Sequence, residues 1–197
     1  MITRRLLLAL SLFASPLLAD EPLLKDNFSE PILAQRRAMR GDWKFADNIA
    51  TCTQDDELYK KHQNHGPILF YDLAYTDAVI ETAFQADSAV KSVVFTCNAE
   101  GGHLFRIVFG PKGASIRAFP PKSKDHASIA LATEAELTLK PGQWTPLRVE
   151  LRGTKISVRC GEFSKTYEHA SFARAKTNFS LGHAFGTLSV KPVFALK

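Results

Sequence analysis

The segment Leu147-Arg148-Val149-Glu150-Leu151-Arg152 alternates apolar and charged side chains without a break. Successive side chains of an extended chain point to opposite faces, so this hexapeptide buries three residues on one side and solvates three charges on the other. A helix would spread the same residues around its circumference. The pattern therefore specifies an antiparallel sheet with one wet face. Ala78-Val79-Ile80-Glu81-Thr82-Ala83-Phe84 repeats it, with Ala78, Ile80, Thr82 and Phe84 on one face and Glu81 on the other.

Further extended segments are expected at residues 42–46, 49–53, 67–72, 91–98, 103–109, 114–119, 129–132, 154–160, 178–183 and 186–194. Short turn signals separate them: Asp47-Asn48, Glu100-Gly101-Gly102, Gly110-Pro111-Lys112-Gly113, Pro141-Gly142 and Gly153-Thr154. Many short strands at this spacing predict an all-β, two-sheet antiparallel β-sandwich. Three segments resist the strand reading. Residues 29–41 fit a helical turn or a loop, 54–66 a long polar loop, and 168–176 a short helix between strands. Long loops in compact domains often carry function, which makes 54–66 a site candidate.

The first residues obey a different rule. Arg4-Arg5 precede the uncharged run Leu6 to Ala14, Pro16 follows, and Ala19-Asp20 offers a small-residue cleavage site. Residues 1–19 are expected to be a secretory signal peptide, and residues 20–197 one exported domain, periplasmic or extracellular. The apolar run is shorter than the roughly 20 residues that span a bilayer. No cysteine near the junction offers a lipid anchor and no later run spans a membrane, so no transmembrane anchor is expected. The formal charge of +5 includes Arg4 and Arg5, and the remaining Lys and Arg are scattered. Nucleic-acid binding needs a concentrated basic stripe, and none is expected to form here.

Cys52, Cys97 and Cys160 are an odd set, so at most one internal bridge can form, and its pairing stays open. Cys97 runs in phase with Val93 and Phe95, and Cys160 with Ile156 and Val158. Both should face inward as small apolar residues. Their spacing fits no zinc motif.

Certain landmarks occur in a familiar order: Asp26-Asn27-Phe28, Gly41-Asp42-Trp43, the strand Asp77 to Phe84, Gly102-His103-Leu104-Phe105-Arg106-Ile107, and Pro141-Gly142-Gln143-Trp144 before Leu147. Over roughly residues 25 to 194 the chain resembles the concanavalin A-like, laminin G-like jelly rolls. Among them it is most similar to the exported bacterial domains named for 3-keto-disaccharide hydrolase. The resemblance implies two antiparallel sheets, one of them concave, and a carbohydrate-related role. It departs from the family 16 glucanases, because no Glu-x-Asp-x-x-Glu strand is present; Glu134-Ala135-Glu136 lacks the third carboxylate. Two readings follow: an exported domain that binds carbohydrate or another cell-surface ligand without classical glycosidase chemistry, or a hydrolase acting on a modified, keto-type disaccharide. A structural role in a cell-envelope assembly is a third. Whether the chain is an enzyme is left open by its residues, as is its oligomeric state.

Glu81, Arg106, Arg117, Arg148 and Glu150 fall out of phase with their apolar neighbours, as does Arg152. If their strands share the concave sheet, they line a polar groove suited to sugar hydroxyls or acidic sugar groups. His62 and His65 sit in a polar loop, and His103 alternates with Phe105 and Ile107, which predicts a partly buried structural histidine. Trp43 and Trp144 read as packing residues, and His169 and Lys176 as surface or packing residues. No cofactor is expected, calcium aside. Asp26 and Asn27 could supply two oxygens to an ion that takes about six to eight.

Overall fold

A computed structural model describes residues 21–121 and 127–197. The expected signal peptide and His126 lie outside the described residues. The chain runs β1 (Leu24–Asp26), β2 (Arg36–Met39), β3 (Lys44–Ala46), β4 (Ile49–Thr53), α1 (Asp56–Lys61), β5 (Ile68–Tyr75), β6 (Ala78–Ala86), β7 (Ser92–Ala99) and β8 (Gly102–Gly110). It continues through β9 (Gly113–Ala118), β10 (Ile129–Glu134), β11 (Thr145–Arg152), β12 (Lys155–Cys160), β13 (Phe163–Glu168), a 3₁₀ turn (Ala170–Ala173), β14 (Lys176–Ala184), β15 (Thr187–Val190) and β16 (Val193–Leu196). No described helix is long and apolar enough to cross a membrane.

The strands form two antiparallel sheets packed face to face. One has nine strands, in the order β13-β12-β11-β6-β15-β4-β3, with β16 also on β6 and β1 on β16. The other has seven, in the order β10-β9-β8-β7-β14-β5-β2. The alternating hexapeptide lies in β11 beside β6, with Val149 opposite Ile80 and Leu151 opposite Ala78. Leu147, Val149 and Leu151 are buried. Across the gap the inner face of the second sheet meets them with aromatic rings: Phe84 packs on Phe109 at 5.3 Å, and Tyr71 stacks on Phe179 at 5.1 Å. Each buried ring or aliphatic chain contributes roughly 1.5–3 kcal/mol, and this shared layer holds the sandwich together.

Local chemistry explains where the elements differ from expectation. Residues 186–194 make two strands rather than one, because Pro192 has no N–H to extend the ladder. The halves pair with different stretches of β6, β15 with Phe84–Ala86 and β16 with Val79–Glu81. The segment 54–66 holds a helix where a loop was expected. Asp55 caps it, its Oδ1 accepting from Leu58 N at 2.8 Å, with Asp56 and Glu57 in the first turn and Lys60 and Lys61 in the last. Residues 29–41 include β2, and the strand β13 carries too little apolar alternation to be visible in sequence.

Two buried charges join parts of the sandwich. Arg36 of β2 donates through Nη1 to both Asp26 oxygens, at 2.8 and 2.9 Å. Tyr71 Oη and Phe28 N also donate to Asp26, and Arg36 Nη2 donates to the Glu30 and Pro31 carbonyls. Since β1 and β2 belong to different sheets, this ion pair clamps one layer to the other. Asp26 is fully engaged by these donors and is not available for the calcium role considered above. No group of three or more metal-ligating side chains exists among the described residues. Lys176, read as a surface or packing residue, is buried, and its Nζ donates to the carbonyls of Thr76 and Phe172 at 2.6 Å each. All three cysteines are free thiols. Burial pushes Cys97 up to about 12, so it packs as an inert apolar group.

Candidate functional site

The five outward residues chosen from sequence divide between two opposite surfaces. Glu81 on β6 and Arg148 and Glu150 on β11 lie on the outer face of the nine-stranded sheet. Arg106 on β8 and Arg117 on β9 lie on the outer face of the seven-stranded sheet. One groove shared by all five is therefore not formed.

The first set satisfies itself. Arg148 donates to Glu81 and reaches Glu150 at 3.5 Å, while Arg152 reaches Glu150 at 3.4 Å. These side chains are 35–44% exposed, where ion pairs contribute about 0.2–1 kcal/mol. The Glu81→Ala variant should accordingly lose less than about 1 kcal/mol of stability. Chemical denaturation checks this, and a loss several times larger would mean the ladder is structural.

Of the second set, Arg106 lines a cleft of about 410 Å³ on the seven-stranded sheet, within the roughly 300–1,000 Å³ usual for ligand sites, and Arg117 stands opposite Arg106 outside that lining. Three cross-strand rows run through this face, and all their residues but Asp72, Asn178 and Arg117 line the cleft. The first aligns Asp72, Asn178, Asn98 and His103, and the second aligns Phe70, Ser180, Thr96, Arg106 and Arg117. The third places Gly182 between Ile68 and Val94. A side chain at Gly182 would approach the Pro67 carbonyl to 2.9 Å, so the absence of a Cβ keeps the strand close to its neighbour. Tyr59, Asn64 and His65, from α1 and the turn after it within the stretch 54–66, form one wall.

His103 corrects the sequence reading. Phase with Phe105 placed it inward, yet it is exposed. The register jumps from Cys97–Phe105 to Asn98–His103, leaving Leu104 as an extra residue. This bulge turns His103 onto the same outer face as Arg106. A second bulge between Lys176 and Asn178 keeps Asn178 level with Asn98.

The bulges complete a polar chain. Arg106 Nη2 lies 2.5 Å from His103 Nε2, His103 Nδ1 lies 2.7 Å from Asn98 Oδ1, and Asn98 Nδ2 donates to Asn178 Oδ1 at 2.6 Å. The arrangement is consistent with a neutral imidazole that accepts from Arg106 and donates to Asn98. Arg106 Nε donates to Thr96 Oγ1 at 3.3 Å, and its guanidinium sits 5.3 Å from the Phe119 ring. Burial, followed by the charge of Arg117, lowers the Arg106 pKa. Among the described residues lining the cleft there is no Asp or Glu. Asp72 is held by Arg37 at 2.5 and 2.8 Å, and that hydrogen bonding lowers its pKa.

The architecture is that of a concanavalin A-like jelly roll. No family model matches the chain, and no curated protein matches it. Solved structures do. A Bacillus licheniformis beta-glucanase superimposes with a TM-score of 0.62 at 10% identity, over 88% of this chain and 97% of that one. The CBM2 module of the evolved Dit of Lactobacillus casei BL23 phage J-1 gives 0.61 at 8% identity, over 88% and 94%. The carbohydrate-binding module CBM66 from Bacillus subtilis gives 0.58 at 10% identity, over 83% and 96%. At these identities the likeness shows the fold. The narrower resemblance to the 3-keto-disaccharide hydrolase domains rests on sequence landmarks alone.

Proposed function

We propose that this chain is an exported, non-catalytic jelly roll that binds a glycan in the cleft of the seven-stranded sheet. The observation that carries the reading is the cleft lining, where fixed polar side chains stand beside aromatic rings and none of the described residues is a carboxylate. Sugar recognition uses such pairs: aromatic faces take the C–H surface of a pyranose, and oriented donors take its hydroxyls. Tyr59 and Phe70 supply rings, while Asn98, His103 and Arg106 supply polar groups already held in place by one another. Preorganised groups lose less entropy on binding. Two of the structural neighbours are carbohydrate-binding modules, which supports the choice.

Glycoside hydrolysis of the two-carboxylate kind needs carboxyl groups about 5–9.5 Å apart across the sugar. The described residues of the cleft lining offer none, so binding is preferred to the hydrolase reading. A glycan array with the purified protein tests the proposal. Wild type should retain a defined set of glycans, Asn98→Ala and His103→Ala should weaken capture about tenfold, and Glu81→Ala should bind as wild type. Loss confined to Glu81→Ala would move the site to the opposite sheet. Silence on every glycan would remove the proposal.

A further inference from the structure

We infer that the cleft selects acidic saccharides, those bearing carboxylate or sulfate groups, with Arg106 as the anchor. This rests on the glycan-binding reading above and adds the ligand's charge class. Arg106 and Arg117 stand directly opposite each other on β8 and β9. Like charges in that position destabilise a sheet. Arg106 is held by the Thr96 hydroxyl and the His103 ring, and Arg117 by the hydroxyl and carbonyl of Ser128. These partners orient the two guanidiniums without cancelling their charge. Neither arginine forms an ion pair with an acidic side chain among the described residues, and nor does Arg40, which also lines the cleft.

Guanidiniums crowded onto a half-buried surface with no acidic partner among the described residues are an energetic liability that an anion relieves. Burial and mutual repulsion act on Arg106 in the same direction, against its charged form. Planar forks of this kind match carboxylate and sulfate oxygens in two-point hydrogen bonds. The rings and small residues of the floor, with Ser180 and Gly182 between Phe70 and Val94, favour a flat saccharide over a peptide chain.

Isothermal titration calorimetry on the purified protein tests the inference with four probes: an oligogalacturonate, a sulfated oligosaccharide of equal length, a neutral gluco-oligosaccharide and polyglutamate. At least one acidic saccharide should bind about tenfold or more tightly than the neutral one, and its affinity should fall as salt rises. The ratio of the two acidic probes tells carboxylate from sulfate recognition. Arg106→Ala should weaken the acidic probe about ten- to a hundredfold, Arg106→Lys should retain part of the affinity, and Lys44→Ala on the other sheet should change nothing. Thermal melting confirms that each variant is folded, and Arg106→Lys carries the test if Arg106→Ala is not. Equal affinity for neutral and acidic saccharides overturns the inference and leaves glycan binding standing. Polyglutamate binding as tightly as the acidic saccharides overturns it as well. Failure of all saccharides removes both readings.

Discussion

Replacing Arg36 with alanine is expected to destabilise the protein by about 3–5 kcal/mol, the usual result of stranding a buried charge. Asp26 and Arg36 side chains are each 2% exposed, so water cannot take the place of the lost partner. The substitution would leave the Asp26 carboxylate with only Tyr71 Oη and Phe28 N as donors. It would also release the Glu30 and Pro31 carbonyls and remove the guanidinium lying 3.9 Å from the Phe45 ring. Because the pair joins β1 to β2, the loss should loosen the N-terminal strand from the opposite sheet. Urea unfolding measures the effect. Removing both charges, as in the double variant Asp26→Leu with Arg36→Met, should cost far less than removing one, since the penalty lies in the unpaired charge. A loss below about 1 kcal/mol in Arg36→Ala would show that Asp26 is solvated or re-paired.

Acidification should also destabilise the fold, by up to about 3 kcal/mol between neutral pH and pH 4, through His183. Its ring is buried edge-on against Trp43 at 6.2 Å, and neither nitrogen has a well-formed hydrogen-bond partner among the described residues. Burial lowers its pKa from 6.5 to about 4; the Gly186 backbone and Asp87 oppose this more weakly. Between those two values the unfolded chain binds a proton that the folded chain refuses. Stability is therefore full above about 6.5, drains as pH falls toward 4, and loses nothing more from this group below that. Denaturation at pH 7 and pH 4 in wild type and His183→Phe separates this effect from that of the carboxylates, which titrate lower. Equal pH dependence in both proteins would rule it out.

Both predictions turn on groups that sequence reasoning passed over, Arg36 and His183, and the reasons are physical. The sandwich was legible because period two survives in each strand, as Leu147 to Arg152 shows. Strand order was not, because alternation says which face a residue takes and nothing about which sheet it joins. Glu81 and Arg106 are both outward, and they stand on opposite sides of the molecule. His103 was misplaced by a single extra residue. The adjacent buried pair Leu104-Phe105 was its trace, and an ambiguous one, since Val79-Ile80 are also both buried in a strand whose register is unbroken. Lys176 was unreadable because its partners are backbone carbonyls, which every residue carries. The polar stretch 54–66, read as a loop, instead holds a capped helix, and Tyr59, Asn64 and His65 from it line the cleft.

The pairing of β1 with β16 sets Leu24 against Ala195 and brings both ends of the domain to the nine-stranded sheet. The cleft opens on the other layer. Anything attached at either end, whether a tether, a surface coupling or a fused neighbour, therefore leaves from the back of the molecule. Fixed to a support by one terminus, the domain would present its cleft outward, like a palm held open by the wrist.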